Sequence, residues 1–287
     1  MSERRYIRLK ESTPNLDGMR NRPDGYLEAT DGTIGDGPWR VRTDEHGFIM
    51  TGNETAEGAS PIVFLGDSFV EATFTPEDVR FVSQVERRLA SHGLKVRCLN
   101  AGYSGATTLQ LFNVFLNKIV PLVGRGGTVV FFLPQSDLPI YFRPHSYWYP
   151  TDRYAPLLPP VEPEASDLPR GSGALTSILG LAVWAAQEFG IDLVLVTSPH
   201  RNAQWATDSY YHRMISEDQH TSLVQRRADI RGAVQRFVAD SGVKFIDADA
   251  EFLDKSSAFY DELHLNDEGH DIFSPWFADQ LRLLLDR

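Results

Sequence analysis

The sequence predicts an α/β protein with a parallel sheet covered on both sides by helices. Three observations predict it. Short runs rich in valine, isoleucine, leucine and phenylalanine recur from residue 61 onward, each stopped by glycine, proline or a polar residue. These runs are apolar throughout and do not alternate, as strands buried on both faces must be. Between them lie stretches with helical spacing, so strand and helix take turns along the chain.

The elements follow in order. "PIVFLG" (61–66) reads as the first core strand. "TPEDVRFVSQVERRLASHG" reads as a helix with Thr75 as N-cap, Pro76 at the first helical position, a stripe of Val82, Val85 and Leu89, and Gly93 at its end. "KVRCLNAG" is a strand, "TTLQLFNVFLNKIV" a helix and "GTVVFFLP" a third strand. "ALTSILGLAVWAAQEFG" is a helix and "IDLVLVTS" a fourth strand. "SLVQRRADIRGAVQRFVADSG" is a helix with Ile230, Val234 and Phe237 on one face, and "VKFIDA" a fifth strand. The chain closes on a helical "DIFSPWFADQLRLLLDR", begun or kinked at Pro275.

Residues 1–59 are rich in Gly, Asp, Arg and Thr and show little helical periodicity; they read as an extension wrapped on a core of residues 60–287. "WRVRT" and "HGFIM" are its candidate short strands. Residues 138–172 are too long and irregular for an ordinary connection and hold eight of the 17 prolines with six aromatics. They read either as a surface loop pinned by aromatics or as a substrate cap. In the second case Tyr147, Trp148 and Tyr149 are candidate contacts. His200 and Arg201, just after the fourth strand, are further candidates for a carboxylate, phosphate or sugar.

Composition narrows the function. Against 28 Lys and Arg stand 39 Asp and Glu, a net charge of −11, which argues against a nucleic-acid partner. The single Cys98 can form neither an internal disulfide nor a cysteine-rich zinc site. No apolar run of about 18 residues and no leader-like start occur, so the expectation is a cytoplasmic protein without a membrane partner. Walker, Gly-x-Gly-x-x-Gly, Gly-x-Ser-x-Gly and His-Glu-x-x-His motifs are all missing.

Ligands of parallel sheets gather at the carboxyl ends of strands. There the first core strand leaves through Gly66-Asp67-Ser68. A tight turn would need no more than this, but so would a serine held ready to react. Asp261 stands three residues before His264, a spacing that lets a carboxylate reach Nδ1 and leave Nε2 free. The same residues fit a solvated loop, or a metal site with Asp267 and His270. However, Asn266 and Asp267 are better used as caps of the helix that follows.

Taken together, "FLGDSFVEA", "LNAGYSGATT" and "DELHLNDEGH" resemble, in order over residues 61–287, three blocks of the SGNH, or GDSL-type, hydrolase family. The resemblance implies a flavodoxin-like three-layer α/β/α sandwich with a five-stranded parallel sheet. It implies Ser68 as nucleophile, Asp261 and His264 as acid and base, and the Gly105 N–H as an oxyanion donor. At the third strand the family carries Gly-x-Asn-Asp, where this chain has "LPQSDL". Pro134 thus stands for the glycine and Ser136 for the asparagine, with Gln135 beside it as a substitute donor. The implied activity is a serine esterase that removes a short acyl group from a small polar molecule or glycan, with no metal and no cofactor. An acyltransferase on the same residues, and a non-catalytic glycan- or ligand-binding member of the fold, are the rival readings.

Overall fold

The carboxyl ends of five parallel strands meet at one edge of the molecule, and the site is built there. The structure, a computed structural model, describes residues 4–165 and 167–286. Its strands are β1 (Tyr6–Ile7), β2 (Asp17–Arg20), β3 (Trp39–Arg42), β4 (Ser60–Gly66), β5 (Val96–Gly102), β6 (Thr128–Leu133), β7 (Leu157–Leu158), β8 (Asp192–Thr197) and β9 (Lys244–Ile246). The central sheet has the order β5-β4-β6-β8-β9 and is parallel throughout. Counted within the sheet this is 2-1-3-4-5, the flavodoxin-like order. Its topological switch point lies between β4 and β6, so the loops after these two strands diverge and leave a crevice.

Along each central strand, alternate residues enter opposite layers. Val63, Leu65, Val129, Phe131 and Leu195 pack into one apolar cluster, while Ile62, Phe64, Val130, Phe132 and Val196 pack into another. The first is covered by α3 (Thr108–Val114), α5 (Gly171–Phe189) and α7 (Glu217–Ser241). The second is covered by α2 (Phe81–Ser91) and α9 (Asp267–Leu285), while α6 (Ser209–Met214) and α8 (Ala248–Glu251) are short helices in the connections. The fold is therefore a three-layer α/β/α sandwich, with both faces of the sheet dry. Cys98 is buried in the second layer. Among the described residues no helix is long and apolar enough to cross a membrane.

Three boundaries differ from the sequence reading. The second helix starts at Phe81, five residues after Pro76, because residues 76–80 form a separate turn closed by Val79 and Arg80 N–H groups on the Pro76 carbonyl. Burial of the Arg80 side chain, whose guanidinium donates to the Ala72, Thr75 and Arg40 carbonyls, holds that turn. The helix expected over residues 107–120 contains a π-helical stretch, Phe115–Ile119, before the short α4 (Val120–Val123). The last helix begins at Asp267 with Asn266 as N-cap, and Pro275 lies inside it without ending it. "WRVRT" does supply β3, whereas "HGFIM" forms isolated bridges: Ile49 pairs with Thr43 and with Asn100 of β5.

Residues 4–59 lie against this body. β2 and β3 form an antiparallel ribbon, and β1 pairs with β7. Ile34 and Trp39 share a buried cluster with Tyr260, and Asn266 donates to the Thr33 hydroxyl at 3.0 Å. These contacts bring Arg20 and Tyr26 to the rim of the crevice.

Candidate active site

Strand β4 ends at Gly66, and after Asp67 the chain turns at once into α1 (Ser68–Glu71). Asp67 is fully buried and caps this helix, accepting from the Phe69 N–H at 3.2 Å. Its other oxygen accepts the Ser136 N–H at 3.1 Å and the Ser136 hydroxyl at 3.0 Å. Burial raises the Asp67 pKa, and these three donors work against that rise. One carboxylate thus fastens together the loops after β4 and β6. Phe69 drops into a cluster with Phe81, Phe132 and Phe273, so the residue after Ser68 anchors the turn in the core.

Close approach fixes the neighbouring strand end. Gly102 lies under α1, where a Cβ would overlap the backbone of Glu71. Asn100, the polar residue inside "CLNAG", donates to the Val70 carbonyl at 2.9 Å and accepts the Gly102 N–H at 2.9 Å. Beyond it Gly105 adopts φ +74°, a left-handed backbone that glycine takes without strain. The N–H groups of Ser68 and Gly105 donate to no acceptor among the described residues. Ser68 is the first residue of its helix, where N–H groups have no intrahelical partner.

The third part comes from the loop before α9. Phe259 and Leu265 bridge antiparallel, and Tyr260 N–H donates to the His264 carbonyl at 3.0 Å, so residues 259–265 form a tight hairpin-like loop. At its tip one Asp261 oxygen accepts the Leu263 and His264 N–H groups, at 2.8 and 2.7 Å. The other lies 2.6 Å from His264 Nδ1. His264 Nε2 lies 2.7 Å from Ser68 Oγ. A carboxylate only accepts, so Nδ1 carries the proton and Nε2 is left to accept from the serine hydroxyl. The Tyr260 ring stacks on the imidazole, with centroids 5.4 Å apart and planes 13° from parallel.

Electrostatics follow the geometry. Burial disfavours protonated His264, but the charge and hydrogen bond of Asp261 outweigh it and hold the imidazole pKa above its ordinary value. Burial likewise opposes ionised Asp261, yet His264 and the two backbone donors keep that carboxyl below the usual range. An imidazole so held, with its pKa raised, can accept the proton of the hydroxyl beside it. His270 is different. Its Nδ1 accepts the Phe81 N–H at 3.2 Å, Nε2 meets the Thr75 hydroxyl at 3.1 Å, and burial with the Arg80 charge brings its pKa down to about 3. Asp261, His264, Asp267 and His270 do not converge on one point, and among the described residues no group of three or more acidic, histidine or cysteine side chains is placed to hold a metal.

Ser68 and His264 open onto a cleft of about 840 Å³ that also contains Gly105, Gln135 and Ser136. The Ser136 hydroxyl has one proton, and in this arrangement it points to Asp67. Five sequence-derived candidates lie outside the cleft lining. Tyr147 is buried and donates to Asp137 at 2.7 Å, and Trp148 and Tyr149 pack against the first apolar layer. His200 is buried 2.8 Å from Asp249, and Arg201 is held between Asp31 and Asp208. The segment 138–172 instead reaches the cleft through Leu138, Pro139, Arg143 and Arg153. Asp67, Asn100 and these arginines were missed. For the first two the sequence did hold a signal, a polar residue at the last turn of an otherwise apolar strand.

Sheet order, layers and strand-end crevice define a three-layer α/β/α protein of hydrolase-like fold. Solved structures agree. The chain is similar to Axe2, an acetylxylan esterase from Geobacillus stearothermophilus, at 14% identity and a TM-score of 0.52, over 78% of this chain and 96% of that one. It is similar to Est24, a carbohydrate acetylesterase from Sinorhizobium meliloti, at 14% identity and TM-score 0.51, over 78% and 99% of the two chains. A third is LAE5, an α/β hydrolase enzyme from the metagenome of Lake Arreo, Spain, at 16% identity and TM-score 0.50, over 79% and 96%. At such identities the likeness is one of fold. No protein-family model and no curated protein sequence matches the chain.

Proposed function

We propose that this chain is a serine-dependent carboxylic-ester hydrolase of the SGNH type, removing a short acyl group from a small polar molecule or glycan. One observation carries the reading: Ser68 Oγ, His264 and Asp261 stand in a hydrogen-bonded row, at 2.7 and 2.6 Å, on the wall of an open cleft. The names of two fold neighbours make acetylated carbohydrates the first substrates to try.

In this mechanism Ser68 Oγ attacks the acyl carbonyl carbon while its proton passes to His264 Nε2. The carbonyl oxygen, now negative, is held by the free N–H groups of Ser68 and Gly105. The ester C–O bond breaks and the leaving alcohol takes the proton from His264. A water molecule then gives a proton to His264 and attacks the acyl-serine, and the acid is released as Ser68 recovers its proton. Asp261 keeps Nδ1 protonated and steadies the imidazolium. Every step uses residues of this chain and water alone.

The test is intact-mass measurement after treatment with a fluorophosphonate probe, on the wild type and on Ser68→Ala, alongside hydrolysis of short-chain acyl esters. A single adduct that maps to Ser68, with labelling and turnover both lost in the variant, is the expected result. Undiminished esterase activity in a folded Ser68→Ala protein would end the proposal.

A further inference from the structure

Arginines make up part of the cleft wall, in a chain with a surplus of acids: Arg20, Arg143, Arg153 and Arg226 all line it. Arg143 and Arg226 each donate to one of two consecutive carbonyls: Arg143 Nε to Pro139 O at 3.1 Å, and Arg226 Nη1 to Leu138 O at 3.3 Å. Arg143 also donates to the Tyr149 hydroxyl and lies over that ring, its carbon 5.0 Å from the centroid. Arg153 is supported by the Tyr154 ring at 5.3 Å and stands beside Gly105, where its Nε and Nη2 would be 3.5 Å from a Cβ at that position. All three line the cleft, and none lies within 4.0 Å of a carboxylate among the described residues.

The contrast with other arginines decides what this means. Arg40, Arg88, Arg201 and Arg231 each meet an aspartate at 3.0 Å or less. Acids do occur at the cleft, but each is engaged elsewhere: Glu71 by the Ser104 hydroxyl, Asp261 by His264, and Glu262 at 3.9 Å from Arg227. The charge of Arg153 also reaches Lys10, whose ammonium is brought down to about 8 by burial first and then by Arg8 and Arg153. Stacking on an aromatic face leaves guanidinium N–H groups free at the edge, and such edges match carboxylate or phosphate oxygens in pairs.

We infer that Arg143, Arg226 and Arg153 form an anion subsite, and that the ester cleaved at Ser68 carries a carboxylate or phosphate on its alcohol portion. The second half rests on the esterase reading: a short acyl group fills little of the 840 Å³, so the alcohol must lie along the arginine wall. Arg143 and Arg226 offer donors to the anion from either carbonyl of the Leu138–Pro139 turn, and Arg153 adds donors beside Gly105.

The experiment has two arms. In the first, kcat/KM is measured on mono-acetylated glucuronic acid, glucose 6-phosphate and neutral glucose, for the wild type and for Arg143→Gln with Arg226→Gln. The expected result is that one anionic ester exceeds the neutral one by about 10-fold or more, and that the paired substitution lowers this ratio by a similar factor. Whichever anion gives the larger ratio identifies the group, carboxylate or phosphate. Raising salt from about 0.02 M to about 0.5 M should lower the same ratio in the unaltered protein, a readout that needs no variant. In the second arm, Ser68→Ala is titrated by calorimetry with glucuronate, glucose 6-phosphate and glucose, which reads binding apart from chemistry. Binding of an anionic sugar that the paired substitution abolishes, with no ester hydrolysed, would keep the subsite and remove the esterase. Hydrolysis with equal ratios, insensitive to salt and to both substitutions, would overturn the subsite and leave the esterase standing.

Discussion

Asp67 accepts both the N–H and the hydroxyl of Ser136, so the residue before the serine of one strand end holds the loop of the next. Asp67→Ala would leave these donors and the Phe69 N–H without their acceptor. The expected loss is about 2–3 kcal/mol in urea unfolding, the scale of a buried donor left unpaired. The turn that presents Ser68 would also lose its cap, so on the proposed mechanism kcat falls more than KM rises.

Ser136→Ala separates two roles. With its proton committed to Asp67, the hydroxyl is not free for an oxyanion, and kcat should fall by less than about 10-fold. A fall of about 100-fold with unchanged KM, the scale of a lost oxyanion donor, would mean that the hydroxyl turns toward the substrate during reaction. Steady-state kinetics on one activated ester decides.

The pH profile follows from His264. Its pKa is raised, and only the neutral ring accepts a proton, so kcat/KM should fall on the acid side with a midpoint above 6.5. Asp261→Asn removes the charge that raises it. The midpoint should move to lower pH, and the plateau should drop by up to about 10⁴-fold, because the ring then holds the wrong tautomer. The stability carried by the His264 proton is complete below pH 6.5 and lost as pH rises through the folded-state value, since the folded protein binds that proton more tightly; the share of Asp261, whose pKa is lowered, is lost in acid instead.

His270 runs the other way. With its pKa brought down to about 3, its ring stays neutral where an unfolded chain would be protonated. Stability from this site is therefore full above 6.5 and lost as pH falls toward about 3. Imidazole titration by NMR should show His264 shifted up and His270 not titrating between pH 5 and 8.

Tyr147→Phe tests placement. The hydroxyl joins Thr108 in donating to buried Asp137, a tie between β6, α3 and the segment 138–172. Loss of about 1–2 kcal/mol in stability with little change in KM is expected. A KM effect without a stability effect would restore this tyrosine to the substrate.

The alternation of strands and helices was legible because central strands buried on both faces are apolar at every position, a pattern short loops do not imitate. The Gly-Asp-Ser turn and the Asp261-x-x-His264 spacing were legible as a pair because each sits where a parallel sheet presents ligands. Thr75 and Pro76 misled because local capping rules know nothing of Arg80, whose burial under three carbonyls shifts the helix start. Tyr147 looked like a substrate contact because an aromatic in a proline-rich segment carries no sign of which way it faces. Arg143 and Arg226 were invisible as a pair: 83 residues separate them, and only folding brings the Leu138 and Pro139 carbonyls under both.

The bridge between Ile49 and Asn100, with Ile49 N–H donating to the Asn100 carbonyl at 2.8 Å, falls on the outer side of β5, the end strand of the sheet. An uncovered end strand is a template on which another chain can add itself. Ile49 thus occupies that edge at Asn100, while Arg20, Pro23 and Tyr26 of the same segment before residue 60 line the cleft. A protein trimmed at that point would keep Ser68, Asp261 and His264, yet it would bare the Asn100 carbonyl and the apolar faces once covered by Ile34 and Trp39. Its fate in concentrated solution would be decided by encounters between copies.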